Sequence, residues 1–102
     1  MSRIRLSNRR QSETFDVEVG GLRYIATASQ YEDGRVGELF LANGKSNSAA
    51  DTVARDSAIA FSFAVQHGAD PQAIRVALCR DSQGRACGPL GVALDHLFGD
   101  QS

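Results

Sequence analysis

Seven residues and the two glycines after them restrict the fold more than anything else in the sequence. Glu13-Thr14-Phe15-Asp16-Val17-Glu18-Val19 alternates, with Phe15, Val17 and Val19 on one side and Asp16 and Glu18 on the other. A period of two is the mark of a half-buried strand. Gly20-Gly21 follows at once, and paired glycines accept the positive φ values that two-residue hairpin loops require. The turn sets a register: Val19 opposite Leu22, Val17 opposite Tyr24 and Phe15 opposite Ala26, with Glu18 meeting Arg23 on the other face as an opposite-charge pair.

The second strand runs to about Gln30, and Asp33-Gly34 reads as the next turn. Val36-Gly37-Glu38-Leu39-Phe40-Leu41-Ala42 then forms a third strand, completing an antiparallel meander. Taking Asp33-Gly34 as a two-residue loop pairs Tyr31 with Val36, Ser29 with Glu38 and Thr27 with Phe40. That register places Ile25, Tyr31, Val36, Phe40 and Ala42 on the face opposite Phe15 and Val17. Helices cover one face of such a sheet, so Ile25, Tyr31, Val36 and Phe40 are expected to form an interface, in a homo-oligomer or with another protein.

Beyond Gly44 the period changes. Ser48 is a suitable N-cap with Asp51 three residues later, as in a capping box. Ala50, Val53, Ala54, Ala58, Phe61, Ala64 and Val65 recur at steps of three and four, widened by Ile59 and Phe63, and predict a heavily buried helix ending at Gly68. Asp70-Pro71 starts a second helix with Ile74, Ala77 and Leu78 inward. Gly88-Pro89 opens a third, carrying Leu90, Ala93, Leu94 and Leu97. The expected architecture is α+β, a three-stranded antiparallel meander followed by three helices on one face. It comprises a basic arm over residues 1–12, expected to be flexible, a single domain over 13–98 and a short tail over 99–102.

Composition removes several classes of function. The chain has 102 residues, 42% of them hydrophobic, with a net charge of −1, which suits one small core. No run approaches the ~18 apolar residues of a membrane span, and the N-terminus carries no apolar leader, so a cytoplasmic protein is expected. Two cysteines without a CxxC spacing suit free thiols in a reducing compartment. Arg3, Arg5, Arg9 and Arg10 make the arm +4 while the rest of the chain is −5. The arm lacks the aromatic and basic interleaving of single-strand readers, and the acidic body argues against a nucleic-acid partner.

Two places could carry chemistry. Gly44-Lys45-Ser46 before a helix lacks the earlier glycine of a P-loop, since position 39 is Leu. The segment Gly44, Lys45, Ser46, Asn47 and Ser48 still offers amides and a helix start to a phosphate or nucleotide. Cys87 precedes the Gly88-Pro89 helix start with Arg85 two residues away, a setting that suits a reactive redox thiol. Cys79 lies eight residues earlier, close enough to be its partner across the turn. His67 and His96 with these cysteines match no zinc-finger spacing, so no metal site is expected. No cofactor motif and no self-contained catalytic set is present.

Taken in order, Tyr24 to Gly34-Arg35, Gly37-Glu38-Leu39-Phe40, Gly44-Lys45-Ser46, Ala64-Val65-Gln66-His67-Gly68, Asp70-Pro71 and Ile74 resemble the TSCPD domain over roughly residues 22–97. That domain occurs near the C-terminus of adenosylcobalamin-dependent ribonucleotide reductases and in short stand-alone proteins. Cys87 stands where the resemblance places the cysteine of the family's pentapeptide, but Gly88-Pro89-Leu90 follows where Pro-Asp would stand. The resemblance implies an accessory or regulatory binding module related to the reductase, and not a complete enzyme. A ribonucleotide reductase chain is then a possible partner, and a thiol-dependent redox subunit using Cys87 is the alternative.

Overall fold

The computed structural model describes residues 2–45 and 47–99. The elements are β1 (Ser12–Val19), β2 (Leu22–Gln30), β3 (Val36–Asn43), α1 (Ala49–Gln66), α2 (Pro71–Ala77) and α3 (Pro89–Phe98), an α+β meander followed by three helices with strand order β1-β2-β3. Gly20 and Gly21 both take positive φ, 61° and 76°, and the first hairpin has the register its turn dictates: Val19 with Leu22, Glu18 with Arg23, Val17 with Tyr24 and Phe15 with Ala26.

The second hairpin departs from the expected register at its turn. Tyr31 N–H donates to the Arg35 carbonyl and Gly34 N–H to the Tyr31 carbonyl, while Gly34 takes φ 90°. The loop is therefore three residues, Glu32-Asp33-Gly34, with the glycine in the left-handed position that closes such loops. Gln30 now faces Val36, and an irregularity beside Ser29 restores Ser29 with Glu38 and Thr27 with Phe40. Gly37 is the extra residue of this bulge, and a Cβ there would lie 2.5 Å from the Tyr31 ring. Val36 consequently turns inward. It belongs to the core and not to the open face where a two-residue loop would put it.

The core gathers Val17, Tyr24, Ala26, Ala28, Val36, Leu39 and Leu41 from the sheet with Ala54, Ala58, Phe61, Ala93 and Leu94 from the helices. α1 packs on β3, α3 on β1 and α2 on α3. The buried face of α1 is Asp51, Ala54, Ala58, Phe61, Ser62 and Gln66, rotated from the expected stripe, and Val53, Ile59 and Phe63 are exposed. The reason is that β3 is a sheet edge whose outward backbone groups need partners. Ser62 Oγ accepts from Leu39 N–H at 2.8 Å, and its single proton is shared between the Leu39 carbonyl at 3.0 Å and the Ala58 carbonyl one turn back at 2.8 Å. Gln66 donates to the Gly37 carbonyl at 2.8 Å, and Asp51 accepts from Asn43 N–H at 2.9 Å. Ala54 and Ala58 between them are small enough for the helix to come this close.

Two side-chain clusters tie the helices down. Asp95 accepts from the two terminal guanidinium nitrogens of Arg80 at 2.7 and 2.9 Å and from Arg75 Nε at 2.8 Å. His96 stacks on Phe15 with ring centroids 3.9 Å apart and its Nε2 lies 2.7 Å from Glu13, joining α3 to β1. Residues 3–10 of the basic arm run against the body: Ile4 N–H donates to the Gln66 carbonyl at 2.8 Å, Tyr31 hydroxyl donates to the Ile4 carbonyl, and Arg10 pairs with Glu38 at 3.3 Å.

Candidate docking groove

Where α1 lies along the β3 edge, the open face of the sheet meets the outer flank of the helix. Alternation along β3 points Phe40 away from the core, and helical spacing sets Ile59 and Phe63 one turn apart facing it. These three side chains, 46%, 52% and 45% exposed, line one groove of about 430 Å³ with Ser12, Thr27 and Glu38. Ile25 extends the apolar surface, exposed and two residues from Thr27, the partner of Phe40. The polar lining is anchored, since Ser62 and Gln66 are committed to the β3 backbone.

The rim is basic and stacked. Arg55 lies over the Phe40 ring at 5.0 Å and Arg3 over the Phe63 ring at 4.2 Å, an arrangement favoured by the ring quadrupole. Arg3 is itself held by Gln66, and Arg10 also lines the groove. Three arginines thus border the apolar side chains, two of them paired within the chain, Arg10 with Glu38 and Arg55 with Asp51.

Of the four expected interface residues, Ile25 and Phe40 lie on this open surface. Tyr31 is half-buried at the end of β2, its hydroxyl engaged by the arm and Arg35 over its ring at 5.0 Å. Val36 is in the core. Helical spacing places Ile59 and Phe63 in the buried stripe expected of α1, yet both are exposed; their part in the groove is missed when every apolar residue at that spacing is counted as core.

In the loop before α1, Ser46 lies outside the described residues. Gly44, Lys45 and Asn47 are exposed. Ser48 caps the helix, accepting from Asp51 N–H at 3.1 Å and donating to the Lys45 carbonyl at 2.7 Å. Asp51 does not complete a capping box. Its buried carboxylate takes Asn43 N–H and Arg55 Nε at 2.8 Å. The Arg55 bond, with the amides of Asn43 and Asn47, holds this carboxyl below its ordinary value of 3.8. An anion from the chain itself therefore sits among the loop amides.

Cys79 and Cys87 are exposed free thiols. Arg85, expected beside Cys87, is held by Asp81 at 3.1 Å, and the guanidinium in electrostatic reach of Cys87 is that of Arg80. Among the described residues no three His, Cys, Asp or Glu side chains gather as metal ligands, and no helix is long and apolar enough to cross a membrane.

Over 66 residues, 65% of its length, the chain is 36% identical to the vitamin B12-dependent ribonucleotide reductase of Agrobacterium fabrum (strain C58 / ATCC 33970). The matched stretch spans 5% of that reductase. The chain matches no protein-family model and no solved structure. It thus carries a region similar to a small part of a ribonucleotide reductase.

Proposed function

We propose that this is a TSCPD-like accessory or regulatory module that docks a ribonucleotide reductase chain through the groove between β3 and α1. One observation carries the reading: Phe40, Ile59 and Phe63 converge from a strand and a helix and remain about half exposed. Contiguous apolar surface of this kind marks an interaction site, and aromatic rings bordered by arginines are typical of protein interfaces. Arg3, held by the neutral Gln66 side chain, suits a partner segment that carries a carboxylate beside its apolar side chains, while Arg10 and Arg55 are paired with Glu38 and Asp51. The similarity to part of a reductase supports that class of partner. Ribonucleotide reduction itself is not assigned to this chain.

A protein partner is favoured over a phosphorylated ligand at residues 44–48 because the Asp51 carboxylate already engages amides around that helix start. Sedimentation velocity of the purified chain mixed with a purified vitamin B12-dependent ribonucleotide reductase tests the reading. The chain should migrate with the reductase. Sedimentation as a separate monomer defeats the proposal, and a homodimer that ignores the reductase assigns the groove to a second copy.

A further inference from the structure

Beyond α2 the chain doubles back through a short hairpin outside the sheet. Arg80 and Ala86 form an isolated antiparallel bridge. On one side of it Asp81 N–H donates to the Arg85 carbonyl at 2.9 Å, and on the other Cys87 N–H donates to the Cys79 carbonyl at 3.1 Å. The turn is internally braced: Asp81 accepts from Gln83 and Arg85 N–H groups at 2.8 and 2.9 Å, and Gly84 takes φ 80°. The bridge and the Cys87-to-Cys79 bond place Cys79 opposite Cys87 across the ladder, where the Cα atoms of opposed residues lie about 4.5–5.5 Å apart.

Side chains alternate between the two faces of such a ladder. Arg80 and Ala86 turn toward the body, Arg80 onto Asp95 and Ala86 so close to α3 that a Cβ on Gly91 would lie 2.8 Å from its own. Cys79 and Cys87 therefore share the outer face, where both are exposed.

We propose that Cys79 and Cys87 are a redox pair that interconverts between two thiols and an intramolecular disulfide by exchange with a glutathione-type disulfide. A ladder spacing of this size lies within the ~4.4–6.8 Å Cα range of a disulfide, and because the bond also needs Cβ atoms ~3.5–4.5 Å apart, closure draws the two strands together at the open end of the hairpin. One cysteine thiolate attacks a sulfur of oxidised glutathione, forming a mixed disulfide and releasing one glutathione thiolate. The second thiolate then attacks the protein sulfur of that mixed disulfide, forming the Cys79–Cys87 bond and releasing the second glutathione. Two electrons pass from the pair to the oxidant, and the two thiol protons end on the two glutathiones. The pair acts independently of the groove.

Equilibration of the full chain with oxidised and reduced glutathione, followed by alkylation and intact-mass measurement, tests this. The parent should become two hydrogens lighter, lose both alkylation sites and yield a peptide linking Cys79 to Cys87. Cys79→Ser and Cys87→Ser should each instead stop at a stable glutathione adduct, with an unchanged circular dichroism spectrum because both side chains are exposed. Accumulation of glutathione on both cysteines of the parent, a disulfide between two chains, or retention of both thiols overturns the proposal.

Discussion

Asp95 is the residue on which the helical layer turns. It anchors α2 through Arg75 and the 79–87 hairpin through Arg80, and the Arg80 bonds first, then those of Arg75, lower its carboxyl from 3.8 to about 2. A pKa depressed in the folded state means that folding favours the ionised form, so its contribution is complete above the unfolded value and is lost as pH falls from 3.8 toward about 2. Asp95→Ala should cost about 1–2 kcal/mol at neutral pH, discounted for partial exposure, and its urea-denaturation midpoint should vary less than the parent's across that acid window. Equal slopes would show that other carboxylates govern the acid transition. Asp51 makes a second prediction at this scale. Because its carboxylate occupies the helix start, added inorganic phosphate should raise the melting temperature of the parent and of Lys45→Ala equally or not at all; a rise confined to the parent would return an external anion to the loop.

At the scale of elements, α1 takes the place of a fourth strand. Ser62, Gln66 and Asp51 bond Leu39, Gly37 and Asn43 of β3 in place of some of the bonds a neighbouring strand would have made. Ser62→Ala should leave the Leu39 N–H without its acceptor and cost about 1–3 kcal/mol, read as a lowered urea midpoint with unchanged slope; a loss below about 0.5 kcal/mol would mean the edge is satisfied without it. This role explains why part of the fold is legible in the sequence and part is not. Gly20-Gly21 defines the first hairpin because turn chemistry and alternation agree residue by residue. Asp33-Gly34 announces a turn but not its length, and the loop of three is decided by Gly34 in its left-handed conformation with Gly37 absorbing the extra residue. The outward rotation of Val53, Ile59 and Phe63 follows from the unmet bonds of β3, a tertiary demand that helical periodicity does not contain. Its trace is nevertheless present: Asp51, Ala54, Ala58, Ser62 and Gln66 recur at steps of three and four, polar at the ends and small in the middle. The opposition of Cys79 and Cys87 is only half legible, since their spacing permits a meeting across the turn while the bridge at Arg80 and Ala86 determines the register.

For the whole molecule, the same rotation that covers the sheet edge exposes the groove. The arm adds Arg3 and Arg10 to its border, so a charge imbalance visible in the sequence acquires a location. Aromatic rings near the centre of an interface carry a large share of its energy, and Phe40→Asp removes the ring beneath Arg55 and puts a charge that a seated partner would have to desolvate at the floor of the groove. The decisive measurement is a fluorescence-anisotropy titration of labelled parent and Phe40→Asp with purified vitamin B12-dependent ribonucleotide reductase, both proteins first matched by circular dichroism. Docking through the groove predicts saturable binding of the parent and a dissociation constant at least about tenfold higher for Phe40→Asp, equivalent to ~1.4 kcal/mol; equal affinities, or no binding by the folded parent, would contradict it.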